Sequence, residues 1–376
     1  LALADVYAPY DAHIVTCLRK AGALILGKVN MTEFANYMSR DGMPSGYSSR
    51  GGQVLNPYNR GETPSGSSSG SGVAVAAGLC SCSVGTETVG SIVSPSAANG
   101  IVGIKPTLGL AGRSGIIPIS STLDTPGPMA RCVRDAAILL GVLADADPHD
   151  PAAHGYAGRV NTDYTKFLVQ HGLKGVKIGV VKLGAEDGEE NDAFGSLLKA
   201  MSGAGAKLIE GLKIDNDIEA RKPIMKYEFK ACMNHYLSTL HTSTPVKTLR
   251  EIILFNQINA ETALKYGQSL LTDCEYQTTG RMTEPEYLRA LIKRDETIKH
   301  LNEVFEESGA DVLLCDSFAK AAPFTGFPSM TVPIGQRKDG LPIGSNWIAK
   351  KFDEGVLLAV GYAVEQLLGL ELRPNI

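Results

Sequence analysis

Residues 11–21 (DAHIVTCLRKA) space their apolar side chains three and four positions apart, which predicts an amphipathic helix. After Gly22 the run ALILG (23–27) is apolar without that spacing and predicts a buried strand. The stretch 30–33 has the chemistry of a helix start, with Asn30 or Thr32 as the cap. Gly, Ser, Asn and Pro dominate residues 38–66, which predicts loop. Residues 72–78 (GVAVAAG) are small and apolar and predict a tightly buried helix stopped by Gly78. Short apolar pieces alternate with Gly, Thr and Ser over 83–105, and IVGIK (101–105) predicts a strand. Helices are predicted at 132–143, 192–204 and 355–368. Strands are predicted at 176–182 (VKIGVVK), 311–315 (DVLLC) and 329–335 (SMTVPIG). Between about 217 and 308 the periodicity is mostly helical, with breaks at Pro245 and Pro285.

Strands that alternate with helices on both sides of a helical stretch predict an α/β fold. The strands are apolar on both faces, so the sheet is expected to lie inside, covered by helices on each side. At 376 residues the chain fits two or three domains or one large α/β core, and no internal repeat divides it. With 44% hydrophobic and 20% charged residues it has enough apolar surface to offset chain entropy, which excludes disorder as the main theme. Lys plus Arg is 36 against 40 for Asp plus Glu, so no basic excess exists to neutralise phosphates, and nucleic acid is not expected as a partner. The most prominent uncharged stretch, 64–82, is full of Ser and Gly and cannot span a bilayer, so no membrane partner is expected. Leu1 opens no signal-peptide pattern, which leaves the cytoplasm as the default compartment. The chain starts without Met and in mid-pattern.

Seven scattered cysteines (17, 80, 82, 132, 232, 274 and 315) include no CxxC pair, and Cys80 and Cys82 are too close for a zinc knuckle. They read as buried free thiols of a reducing compartment. The histidines (13, 149, 154, 171, 235, 241 and 300) form no HExxH or HxxxH pair. No metal and no cofactor are expected.

The biased run SGSSSGS (65–71) is where chemistry concentrates. A flexible linker would be flanked by polar sequence, whereas this run leads straight into a small-residue helix. A phosphate-binding P-loop needs Gly-Lys-Ser/Thr, and no Lys lies between Arg60 and Lys105. A dinucleotide fingerprint needs GxGxxG directly after a strand; here Gly70 and Gly72 follow loop and Val75 takes the place of the third Gly. GSSSG (66–70) spells an esterase elbow centred on Ser68, but no strand precedes it and no strong Asp-then-His pair follows. SFAK (317–320) spells SxxK without its companion motifs.

Three motifs taken together account for the whole region: SGSSSGS (65–71), GTETVGSI (85–92) and GIKPT (103–107). ALILGKVNMTEF (23–34) precedes them, and GIIPI (115–119), DTPGPMA (124–130) and GFPSMTVPIG (326–335) follow. This set resembles the amidase signature family, within it most closely the bacterial peptide-amidase-like enzymes. The match covers about 1–145 and 310–376, and the helical middle is generic. The resemblance implies one domain over 1–376. Its α/β core, at about 1–183 and 309–376, is a large twisted mixed sheet covered by helices on both faces. A mostly helical insert occupies about 190–308.

It also implies an amidohydrolase that cleaves a small-molecule carboxamide at its C–N bond through a Ser–cis-Ser–Lys triad. By motif position the nucleophile is Ser91 and the bridging serine, in the cis conformation, is Ser67. The oxyanion hole uses backbone N–H groups of Thr88, Val89, Gly90 and Ser91. A serine hydroxyl needs a base to become a strong nucleophile, and a buried lysine can serve because desolvation lowers its pKa. The family carries that lysine in a PxxxKD-like motif, which in register falls upstream of Leu1. Lys28 corresponds to a different lysine. Val89 stands where relatives carry Gly or Asp, and Val93 where many carry Arg. Two other functions fit the same motifs. One is that of a protein like the glutamyl-tRNA amidotransferase component that works on glutamine. The other is a non-catalytic amidase-fold binding protein that has lost its lysine.

Overall fold

The computed structural model describes residues 1–153, 161–169, 172–184, 188–241 and 243–375. Its strands in chain order are β1 (Tyr47–Ser48), β2 (Gly52–Gln53), β3 (Cys82–Glu87), β4 (Val102–Lys105), β5 (Thr125–Ala130), β6 (Lys177–Val181), β7 (Lys207–Leu212), β8 (Val312–Cys315), β9 (Ser329–Thr331), β10 (Pro333–Gln336), β11 (Pro342–Gly344) and β12 (Asn346–Ala349). The helices are α1 (His13–Lys20), α2 (Ser69–Ala76), α3 (Val93–Ala98), α4 (Val133–Leu143), α5 (Glu189–Gly203), α6 (Arg221–Ser238), α7 (Leu249–Ile258), α8 (Ala260–Ala263), α9 (Ser269–Tyr276), α10 (Pro285–Ser308), α11 (Ala321–Thr325) and α12 (Glu354–Leu368).

Eight strands make one mixed sheet in the order β3–β5–β4–β9–β12–β8–β6–β7. From β3 to β8 the neighbours run antiparallel, and β6 is parallel to both β8 and β7. Two hairpins, β1–β2 and β10–β11, stand apart from it. Alternate side chains of one strand enter different cores. Val312 and Leu314 join Trp347, Leu140 of α4, Leu197 of α5 and Leu357 of α12 on one face. Leu313 and Cys315 join Leu301 and Phe305 of α10 on the other, where Val75 and Ile92 also pack beneath α2 and α3. Both faces are therefore covered, as the doubly apolar strands require. Each large aliphatic or aromatic side chain withdrawn this way contributes about 1.5–3 kcal/mol.

The helices from α6 to α9 carry a separate core of Phe229, Met233, Leu237, Leu249, Ile253 and Leu271, which Tyr37, Met38 and Met43 of the early loop complete. A buried carboxylate joins this region to the sheet. Glu228 of α6 accepts from Ser120 Oγ (2.5 Å), the Thr122 N–H (3.1 Å), Thr122 Oγ1 and Tyr287 OH (2.8 Å). It fixes the 120–122 segment that runs into β5. Among the described residues no helix is long and apolar enough to cross a membrane.

Several expectations from the sequence change. The apolar run 23–27 is not a strand: no strand of the described structure pairs with it, and Leu24 and Leu26 are 85% and 70% exposed. A strand needs a ladder partner whatever its side chains prefer. The helix start at 30–33 becomes a short 3₁₀ turn, Glu33–Asn36, with positive φ at Phe34 and Ala35. Its would-be caps are engaged elsewhere, since Thr32 Oγ1 accepts from the Gly46 N–H and Asn30 donates to the Gly46 and Gly52 carbonyls. The run 329–335 divides at Val332, sending β9 into the main sheet and β10 into a hairpin.

Candidate active site

The Ser/Gly run crosses from loop into α2 beside the end of β3. The Gly66–Ser67 peptide is cis. Ser67 is fully buried; its carbonyl accepts from the Thr32 N–H at 3.0 Å, and its Oγ makes no hydrogen bond. The neighbouring hydroxyls are all engaged. Ser68 Oγ bridges the Thr86 carbonyl and N–H at 3.1 Å each, Ser69 Oγ donates to the Ser65 carbonyl, and Ser71 Oγ donates to the Val84 carbonyl. Backbone approach explains the glycine at 70, where a Cβ would lie 2.2 Å from the Asn30 carbonyl oxygen.

Beyond β3 the chain turns sharply through residues 88–91 into α3. Ser91 is half-buried on this turn, and its carbonyl accepts from the Ser68 N–H at 3.2 Å. One backbone hydrogen bond thus joins the segment of Ser67 to that of Ser91. Gly90 has φ +85°, and a Cβ there would stand 2.8 Å from the Phe318 ring. Thr88 Oγ1 donates to Asp124 Oδ1 at 2.6 Å. Val89 packs on the apolar cluster of Leu123, Ile218, Tyr227, Tyr287 and Phe324, so its side chain is taken up by the helical region. Val93 is buried at the start of α3.

Charged groups beneath the turn hold it in place. Glu87, the last residue of β3, accepts the N–H groups of Ile92 (2.8 Å) and Val93 (3.0 Å) on one carboxylate oxygen. Burial pushes its pKa up, while the positive charge of Lys105 and these N–H groups pull it back. Lys105 at the end of β4 is also buried, and its Nζ donates to the Pro106 carbonyl at 2.9 Å. Burial lowers its pKa to about 8 against the opposing pull of Glu87 and Glu354. Glu354, at the start of α12, accepts the Thr107 N–H at 2.7 Å, and burial raises its pKa too. Asp124 accepts the N–H groups of Ile119 (2.7 Å) and Ser120 (2.8 Å) besides Thr88, and burial lifts its carboxyl to about 6. Lys28 is exposed.

Thr86, Thr88 and Asp124 line a cavity of about 970 Å³ whose other walls come from α1, the 113–121 segment, the 145–151 segment and α6. A second cavity of about 320 Å³, lined by Phe34, Ile117 and Phe229 among others, shares Thr86 as a wall. The site therefore has a turn with a left-handed step at Gly90, two serine segments joined by one backbone hydrogen bond and, past Thr86 and Thr88, a cavity with room for a small organic molecule.

The sequence model of the family described as Amidase matches residues 1–326. The chain belongs to the amidase signature family. It is 36% identical over 379 residues to a probable amidase of Arabidopsis thaliana, covering 97% of this chain and 72% of that protein. It is 33% identical to a component of the glutamyl-tRNA(Gln) amidotransferase of Koribacter versatilis, over 97% of this chain and 80% of that one. The crystal structure of native peptide amidase from Stenotrophomonas maltophilia superposes with a TM-score of 0.92 at 38% identity, over 98% of this chain and 78% of that chain. The mixed sheet with helices is the architecture of amidase signature structures, and amide hydrolysis is the chemistry of this family.

Of the residues that the motifs single out, Ser67, Thr88, Val89, Gly90 and Ser91 fall on two neighbouring segments at the end of β3. Sequence reading did not single out Glu87, Lys105, Glu354 or Asp124. For Glu87 and Lys105 the signal was a lone charged residue inside an otherwise uncharged strand run, as in SVGTE and IVGIK. In this amidase, Gly90→Ala is expected to cut amide hydrolysis at least about 100-fold, because a Cβ both disfavours φ +85° and meets Phe318. Steady-state kinetics would check this, with a loss in kcat larger than any change in KM.

Proposed function

We propose that the protein hydrolyses small-molecule carboxamides with Ser91 as nucleophile and Ser67 as the proton-bridging serine. Ser91 Oγ attacks the carbonyl carbon and its proton passes through Ser67 to a lysine base. The backbone N–H groups of Thr88, Val89, Gly90 and Ser91 receive the negative charge on the carbonyl oxygen, each such donor contributing about 3–4 kcal/mol in the transition state. The C–N bond breaks, ammonia or an amine leaves with the returned proton, and water cleaves the acyl ester to a carboxylic acid. In this reading the base is the lysine that the family carries in its PxxxKD-like motif, which the 376 residues do not include. Lys28 is exposed, and Lys105 donates to the Pro106 carbonyl beneath the turn.

The observation that carries this reading is the buried Ser67 hydroxyl without a partner, one backbone bond from the segment of Ser91. Buried hydroxyls are ordinarily satisfied, and this one, which bonds neither Ser91 nor any other group, keeps its proton and lone pairs uncommitted. The amidotransferase reading is weaker. The glutamyl-tRNA(Gln) amidotransferase structure from Thermotoga maritima superposes at TM-score 0.70 and 25% identity, against 0.92 and 38% for the peptide amidase. No nucleic acid or membrane partner enters the scheme.

A fluorophosphonate probe followed by peptide mapping tests it, alongside ammonia release from a panel of primary carboxamides that includes glutamine. Labelling on Ser91 with turnover of non-glutamine amides supports the proposal. Labelling that persists in Ser91→Ala sinks the assignment of the nucleophile. A folded protein with neither labelling nor turnover favours the non-catalytic amidase-fold alternative, and glutamine-only turnover favours the amidotransferase one.

A further inference from the structure

α1 and the segment that follows α4 meet at the rim of the large cavity. His13 and Cys17 lie one helical turn apart, so both project from one face of α1. Asp145, just past the end of α4, faces them. Cys17 Sγ donates a thiol hydrogen bond to Asp145 Oδ2 at 3.6 Å, and His13 Nε2 lies 3.6 Å from the same oxygen. All three donor atoms are within 4.8 Å of one another. On the other side of the imidazole, Asp147 Oδ1 stands 3.9 Å from Nδ1. Asp147 is itself buried and accepts the N–H groups of Ser114 and His149 at 2.9 Å each.

A separation of 3.6 Å is too long for an N–H···O hydrogen bond. His13 Nε2 is buried and has no hydrogen-bond partner. The same spacing fits the edges of a coordination tetrahedron. Metal–nitrogen and metal–oxygen bonds of about 2.0–2.2 Å and a metal–sulfur bond of about 2.3 Å put ligand atoms roughly 3.3–3.6 Å apart. A thiolate, an imidazole and a carboxylate together suit Zn²⁺. Asp147 lies on the Nδ1 side of the ring at 3.9 Å, close enough for a small rotation of the imidazole to bring the two into hydrogen-bond contact.

We propose that His13 Nε2, Cys17 Sγ and Asp145 Oδ2 form a zinc site that clasps α1 to the segment after α4, with its fourth position open to the cavity. His13 and Asp145 line that cavity, and Asp145 is 51% exposed, which gives the ion a way in. The site stands independently of the serine chemistry. Sequence inspection passes over it because the pair on the helix is His-x₃-Cys and its third member lies 128 residues beyond the cysteine.

Binding is a proton exchange without redox change: Zn²⁺ takes the Cys17 sulfur and one thiol proton goes to solvent. The groups around that thiol are His13, Asp145, Asp147 and Lys20, and burial with the two carboxylates pushes its pKa up to about 11.

The test uses the whole chain stripped with a chelator and titrated with ZnCl₂ by calorimetry and with CoCl₂ by absorption. One ion per chain is expected, with tetrahedral cobalt bands and a thiolate-to-cobalt charge-transfer band. Both bands are lost in Cys17→Ser, and affinity falls at least about tenfold in Asp145→Asn. Zn²⁺ raises the melting temperature of the parent protein by mass action but not that of Cys17→Ser. Asp145→Asn changes a half-exposed side chain, so the fold survives even where Cys17→Ser perturbs the helix. Absence of binding overturns the proposal, and so does binding that neither substitution alters, since the ion would then sit on other thiols.

Discussion

Alanine at Ser91 is expected to lower amide hydrolysis by about four to six orders of magnitude while leaving the melting temperature unchanged. The turn does not depend on the Ser91 hydroxyl. Glu87 holds it through the N–H groups of Ile92 and Val93, Ser68 holds it through the Ser91 carbonyl, and Gly90 supplies the left-handed step. Ser67→Ala makes the sharper comparison. The Ser67 hydroxyl is buried and unpartnered, so folding gains nothing from it. Its removal is expected to change stability by less than about 1 kcal/mol, and an increase is as consistent as a decrease. Activity is nevertheless expected to fall about 10³-fold or more, and the double variant to be little worse than Ser91→Ala, because residues that act as one unit are not additive. Ammonia release and thermal melts on the parent, the two single variants and the double variant decide it. Full activity in Ser67→Ala would mean that the proton takes another route.

The elements that the sequence reveals are those whose neighbours reinforce them. α4 and α12 carry apolar side chains at helical spacing and bury them against the same face of the sheet, and β8 is apolar on both sides because both sides are covered. β5 is hard to read because TPGPMA holds two prolines, residues normally confined to edge strands. The register shows how they are accommodated. β5 pairs with β3 along its whole length but with β4 only at Met129 and Ala130, so Pro126 and Pro128 lie where β5 has one partner instead of two. The run 23–27 fails in the opposite direction, with strand-like side chains and no described strand paired with it. The serine segments are legible because small residues crowd there in a fixed order. The groups that hold them are not, since Glu87, Lys105 and Glu354 come from three separate parts of the chain. Nothing local in the sequence says that they share one buried space.

Lys105→Met is expected to destabilise the protein by about 3–5 kcal/mol near pH 7, the usual cost of removing one partner from a buried charged cluster. Methionine fills nearly the same volume, so the loss is electrostatic more than steric. The lysine charge is what opposes the desolvation of Glu87 and Glu354, both of which burial already pushes towards protonation. Without it their folded pKa values climb further above the unfolded value of 4.5. The native state then holds protons that the unfolded chain has released, so stability falls as pH rises from that unfolded value to the folded one. The deficit is thus complete only above the raised folded values, shrinks as the pH drops through them, and is gone below the unfolded value of 4.5. Denaturant melts at pH 5 and pH 7 measure this directly, and equal losses at both would show that packing, not charge, is responsible. Adding Glu354→Gln to Lys105→Met removes one of the two stranded carboxylates and is expected to restore part of the stability. Activity should not recover in step. Glu87 is the carboxylate that grips the turn carrying Ser91, and a Glu87 that has taken up a proton holds the N–H groups of Ile92 and Val93 more weakly. The lysine of the KPT motif is therefore expected to act on the turn from beneath, through the positive charge it sets against the desolvation of Glu87.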